Sequence, residues 1–89
     1  MKIKYLNQAF GTALTKFRTQ RNWSQEHLGF ESELTRTYIS LLERGKRSPT
    51  LNTIFRLAAA LDVDADEVIR QTLIELNGSH EIDSLQSDQ

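Results

Sequence analysis

Residues 24–47 read SQEHLGFESELTRTYISLLERGKR, two short helices with a tight break between them. Ser24 is an N-cap candidate, because its side-chain oxygen can accept a backbone N–H that the first helical turn leaves unpaired. The helix it opens, Gln25 to Ser32, carries Leu28 and Phe30 and loses its pattern at Ser32. After Glu33-Leu34, Thr35 offers a second cap. A helix from Arg36 to Arg44 follows, with Tyr38, Ile39, Leu41 and Leu42 along it. Gly45 then supplies a residue that takes the left-handed C′ position at no steric cost. Two helices joined by three or four residues have the spacing of a helix-turn-helix.

The polar residues of this stretch are distributed unevenly. Arg36 and Thr37 open the second helix on its outward side, and Arg44, Lys46 and Arg47 follow at its end. Side chains so placed suit a DNA groove with phosphates on either flank. The chain carries a formal net charge of −1, which argues against nucleic acid until the charge is divided. Residues 1–50 hold nine Lys/Arg and four Glu, a balance of +5. Residues 51–89 hold two Arg and eight Asp/Glu, a balance of −6. The local field governs phosphate contact, and it is basic where the two helices lie. The plain alternative is that solvated faces divide this way without a partner.

Outward from the core stretch, residues 8–22 predict a first helix with Phe10, Ala13, Leu14 and Phe17 as its apolar stripe and Asn7 as its cap. Residues 1–7 are either an extension of that helix or a loose arm. Trp23, just before Ser24, stands where a hydrophobic staple would pack toward Leu28; a base-stacking role is the alternative. Beyond GKRSP, Thr50 caps a fourth helix with Leu51, Ile54, Leu57, Ala58 and Leu61 on one face. Asp64 with Glu67 forms an Asp version of the capping box. It opens a fifth helix from Ala65 to Leu76, with Val68, Ile69, Leu73 and Leu76 on one face and Ile74 off it. Asn77-Gly78 is expected to end the ordered pattern and leave residues 79–89 as a disordered acidic tail. The expectation is an all-α, compact five-helix bundle over residues 1–78.

At 89 residues there is room for one domain, and a chain of this size buries only about 60–65% of its unfolded surface. The chain has no cysteine, which excludes disulfides, thiolate zinc sites and a cysteine nucleophile. Its longest apolar run, Leu57 to Leu61, is far short of the ~20 residues of a membrane span, so a soluble, cytoplasmic protein is expected. The histidines are His27, on an exposed helix start, and His80, in the tail. No Gly-rich phosphate loop or metal-ligand spacing accompanies them. An enzyme is therefore not expected, and neither catalytic residues, metal, cofactor nor small-molecule ligand are implied.

Trp23 to Glu26, Thr35 to Pro49 (TRTYISLLERGKRSP) and Leu51 to Leu61 (LNTIFRLAAAL) together resemble the DNA-binding domains of lambda-type phage repressors, Cro and their bacterial Xre-like relatives. Length and the ERGKRSP run also resemble the small controller proteins of restriction–modification systems. The resemblance implies a lambda-repressor-like domain whose recognition helix, residues 35–44, enters the major groove of double-stranded DNA. It implies DNA-facing roles for Ser24, Gln25, Thr35, Arg36, Thr37, Ser40 and Leu41, and phosphate contacts for Tyr38, Arg44, Lys46 and Arg47. Arg suits guanine, and Thr and Leu methyls suit thymine. Arg18 and Glu43 match a partly buried pair joining the first helix to the third. Two positions depart from the family pattern: Glu33 stands where the turn usually has Gly, and Gly29 where a helical Ala is usual. His27 also replaces the usual Glu of the capping box.

Three residues retain a plainer alternative: Glu43 as a solvated helix-end acid, Tyr38 packing on the first helix, and Leu41 buried at the helix seam. A protein-only adaptor remains the rival class. One recognition helix reads too few base pairs to select an operator, so a homodimer on a palindromic site is expected, its half-sites roughly 34 Å apart. The basic half must face DNA, which leaves the fourth and fifth helices for the dimer surface, with Phe55, Ile74 and Leu76 among its contacts. The alternative is that Phe55 is ordinary core and Ile74 a lone exposed apolar residue.

Overall fold

The computed structural model describes residues 3–87, with side chains described for residues 3–78. Among the described residues the chain forms five helices: α1 (Leu6–Gln20), α2 (Gln25–Ser32), α3 (Arg36–Glu43), α4 (Leu51–Leu61) and α5 (Ala65–Ser87). Helix α1 lies along α5 and crosses α3, α2 packs on α3 and α4, and α4 packs on α5. Their shared core is Phe10, Leu14, Leu28, Ile39, Leu42, Leu57, Ala58, Leu61 and Val68. It closes with Phe17, Trp23, Leu34, Tyr38 and Ile54 at its margin.

Side-chain caps set three helix starts. Ser24 Oγ accepts the His27 N–H at 3.0 Å, Thr35 Oγ1 that of Tyr38 at 3.1 Å, and Thr50 Oγ1 that of Thr53 at 3.1 Å. Each cap satisfies one of the orphan donors of a first turn and is worth about 1 kcal/mol. At the start of α5 the Glu67 carboxylate accepts the Asp64 N–H at 3.2 Å, the reciprocal half of a capping box. The stops are left-handed residues: Asn22 at φ 58° beyond α1, Glu33 at φ 60° after α2, Gly45 at φ 71° beyond α3 and Asp62 at φ 57° after α4.

The structure corrects several boundaries and faces. Helix α1 starts at Leu6, not Gln8, with Tyr5 left-handed before it and no side-chain cap from Asn7. Starting earlier half-covers Leu6 beside Phe10, Pro49 and Ile69, which outweighs one capping bond. Helix α1 ends at Gln20 rather than Asn22, and α3 at Glu43 with Arg44 as its C-cap residue. Leu51, expected on the core face of α4, is 70% exposed. On α5, Val68 and Thr72 face the core while Ile69 and Leu73 are about half exposed. Thr72 can be buried because its hydroxyl donates to the Val68 carbonyl at 2.8 Å, and reading only apolar residues rotates the stripe by one position. Nor does α5 stop at Asn77-Gly78; it runs to Ser87. A single Gly costs a helix only about 1 kcal/mol, and nothing after it removes a backbone N–H. Residues 88 and 89 of the expected tail lie outside the described residues.

Two of the departures bear on the turn between α2 and α3: Glu33 lies in it, and Gly29, inside α2, packs against it. Glu33 adopts the left-handed conformation that glycine takes without cost, a strain of about 1–2 kcal/mol for a residue with a Cβ. Gly29 lets the backbone fold close: a Cβ there would stand 2.9 Å from the Leu34 carbonyl oxygen. The chain thus keeps the turn by removing a methyl on α2 rather than by placing glycine at the left-handed residue.

Candidate nucleic-acid interface

Helix α3 is anchored on its inner side by Ile39 and Leu42, both fully buried. That fixes which residues face away from the core. Arg36 and Thr37 are exposed at its start, beside the exposed cap Thr35, and Ser40 and Leu41 are half-buried one turn on. Arg44, Lys46 and Arg47 are exposed at its end, after the turn in which the Lys46 N–H returns to the Leu41 carbonyl at 2.9 Å. The arrangement gathers the start of α3 and the basic run after it along one exposed element.

Tyr38 is partly buried, with its side chain packed against the core cluster that includes Phe10 and Leu14 of α1. Its hydroxyl lies 3.4 Å from Thr53 Oγ1 at the start of α4, and the Arg47 guanidinium stands over its ring at 5.7 Å from the centroid. A cation above a ring face is attracted by the ring quadrupole, which orients Arg47.

Gln25, the first residue of α2, is held inward: its carboxamide nitrogen donates to Glu43 Oε1 at 3.0 Å. Glu43 also receives both sides of the Arg18 fork, Nε at 2.6 Å and Nη2 at 2.9 Å. Arg18 Nη1 then donates to the Trp23 carbonyl at 2.7 Å. One carboxylate therefore joins the end of α1, the start of α2 and the end of α3. The Glu43 side chain is 5% exposed and that of Arg18 14%, which removes the solvated-acid alternative. Burial is the largest influence on the Glu43 carboxyl and pushes it up. The hydrogen bonds from Arg18, Gln25 and Thr15 and the charge of Arg18 outweigh it, so it is held below the ordinary carboxyl value. The same hydrogen bond to Glu43 raises Arg18.

Two features escaped the sequence. Gly11 lies where α1 meets α3, and the only sign of it is a glycine inside a strong helical stripe. Thr53, buried at 6% exposure, is linked to the Thr50 cap and to Tyr38; its sign is a hydroxyl three residues after a capping threonine.

Capped α2 and α3, a close turn and an exposed basic run just after α3 define a helix-turn-helix protein. The Helix-turn-helix family model HTH_3, of the Xre type, matches residues 14–68, and the chain belongs to this family. It is similar to Control protein C.BamHI of Bacillus amyloliquefaciens, 41% identical over 66 residues that cover 73% of this chain and 82% of that one. Its fold is similar to the restriction–modification controller C.AhdI of Aeromonas hydrophila, with TM-score 0.68 and 42% identity, over 70% of this chain and 94% of the other. It also matches the controller C.Esp1396I, solved as a tetramer with its natural 35 base-pair operator, at TM-score 0.75 and 27% identity over 82% and 96% of the two chains.

Proposed function

We propose that the chain is a non-catalytic transcriptional regulator of the cytoplasm that binds a palindromic double-stranded DNA operator as a homodimer, with α3 in the major groove. The observation that carries this is the start of α3, where Arg36 and Thr37 are exposed above a helix locked from behind by Ile39 and Leu42. Arg36, Thr37, Ser40 and Leu41 meet base edges. Ser24, Gln25, Thr35, Tyr38, Arg44, Lys46 and Arg47 meet the backbone. The operator bound by C.Esp1396I supports the same use of the fold here. The test is selection of duplexes by the full chain from a random pool. Enrichment of a two-fold symmetric site supports the reading, and recovery of no preferred sequence rejects it.

The division of labour is tested on the selected duplex. Arg36→Ala is expected to lose about 1–3 kcal/mol and to relax preference at one base pair. Lys46→Ala is expected to weaken all sequences alike and to flatten the dependence on salt by about one counterion. Equal behaviour of the two variants across a panel of mutated sites rules the division out.

For the dimer, Phe55 and Ile74 are 58% and 55% exposed, and Leu51, Ile69 and Leu73 lie exposed on the same two helices, while Leu76 is half-buried. Five of the eight exposed large apolar residues among the described residues lie on α4 and α5, in the acidic half of the sequence. We expect Ile74→Glu to sediment as a monomer at micromolar concentration where the wild type is a dimer. A monomeric wild type, or a variant that dimerises as well, refutes the assignment.

A further inference from the structure

We infer that Thr53, which accepts a hydrogen bond from the Thr50 cap, is a positioning residue that leaves the Tyr38 hydroxyl free to donate to a DNA phosphate. The inference rests on the DNA-binding reading above and names what makes one of its backbone contacts effective. A tyrosine hydroxyl has one hydrogen and can either donate or accept along a given line. A phosphate oxygen only accepts. Tyr38 is therefore useful to a phosphate only if its hydrogen is not spent on the protein.

Across the Tyr38–Thr53 pair either hydroxyl can donate, and the Thr50 cap biases the direction. Thr50 Oγ1 accepts the Thr53 N–H at 3.1 Å and gives its own hydrogen to Thr53 Oγ1 at 3.0 Å. Thr53 Oγ1, having received one hydrogen, has its own to place. The Tyr38 oxygen is 3.4 Å away, and Thr53 is buried at 6% exposure, so water is not the ready alternative. The Tyr38 oxygen thus accepts from Thr53, and its hydrogen is left for a group outside the domain. Chains of hydroxyls polarise one another in this way, each acceptance making the next donation stronger. Arg47 over the Tyr38 ring, with exposed Lys46 next to it in sequence, makes that outer group an anion. With the chain reversed, Tyr38 would donate to Thr53 and present a lone pair to the phosphate, and the contact would repel. At 3.4 Å the link is long for two hydroxyls, so it steers direction more than it holds position, and a few-fold effect is expected.

The test uses the full chain and the duplex it selects from a random pool. Tyr38→Phe is expected to weaken binding about tenfold, the scale of one hydrogen bond to a charged group. Thr53→Val keeps the shape without the hydroxyl and is expected to lose about threefold, with Thr53→Ser restoring wild-type affinity. In the Tyr38→Phe background Thr53→Val should change nothing further. Replacing the contacted phosphate by a neutral methylphosphonate should abolish the difference between Thr53→Val and wild type. Melting temperatures separate the alternative, because a purely structural Thr53 would lower stability and leave affinity intact well below the melting point. Binding by Thr53→Val equal to wild type, or losses that multiply in the double variant, overturns the inference. A wild type that enriches no duplex overturns the DNA-binding reading, and the inference with it.

Discussion

Gly11→Ala is expected to melt at least 10 °C or so below the wild type, equivalent to about 2–3 kcal/mol in a domain of this size. On an isolated helix the same change would help, since alanine is favoured over glycine in a helix interior by about 1 kcal/mol. The crossing of α1 over α3 reverses the sign. A Cβ at Gly11 would stand 2.4 Å from the Glu43 carbonyl oxygen and 2.6 Å from that of Leu42. Neither atom belongs to a side chain that can swing away; both are backbone at the end of a helix fixed by Leu42 in the core. Relief requires the two helices to part, which would loosen Phe10 and Leu14 against Ile39 and Leu42. The position of α3 would move with it, so DNA affinity should fall in the fraction that remains folded. Thermal unfolding followed by circular dichroism decides the matter: a melting temperature equal to or above wild type means that helix propensity wins and the close crossing is not required.

This crossing shows why parts of the molecule were legible in the sequence and others were not. Caps were legible because Ser24, Thr35 and Thr50 act on the backbone three residues away, a local rule that needs no partner. The family landmarks around α2 and α3 were legible for the same reason: spacing carries them. The inner face of α5 was misread because Thr72 is polar by type but satisfied by its own helix, so burial there follows from packing on α1. The length of α5 is not legible in Asn77-Gly78, because that pair looks like a stop but costs the helix only about 1 kcal/mol. Gly11 and Thr53 depend on what α3 brings within 3.5 Å, its last carbonyl oxygens in one case and the Tyr38 hydroxyl in the other. No periodicity contains that information. Gln25 was expected as a DNA-facing residue, and the bond it makes to Glu43 depends likewise on the meeting of two helices. Its remaining amide hydrogen is compatible with a phosphate contact, and the Glu43 bond fixes its rotamer before DNA arrives, which lowers the ordering cost of binding.

Glu43→Ala is expected to cost about 2–4 kcal/mol, somewhat below the 3–5 kcal/mol of a fully buried pair broken on one side, because the Arg18 side chain keeps 14% exposure. The loss is not the worth of the ion pair. It is chiefly the cost of leaving the Arg18 guanidinium half-desolvated with only the Trp23 carbonyl to accept from it, together with Gln25 losing its partner. A double variant, Arg18→Met with Glu43→Leu, should therefore recover much of the stability, since apolar side chains of similar volume replace such pairs at little cost. The pH dependence has a definite sign. The folded Glu43 carboxyl is held below its ordinary value of 4.5, so the stability it contributes is complete above that value and is lost as pH falls through the lower folded one. Glu43→Gln has no such proton to take up. The gap in unfolding free energy between wild type and Glu43→Gln should thus be widest near neutrality and narrow progressively below about pH 4.5. Parallel pH profiles, or a Glu43→Ala protein that melts within a degree or two of wild type, would mean that the three helix ends are held by packing alone.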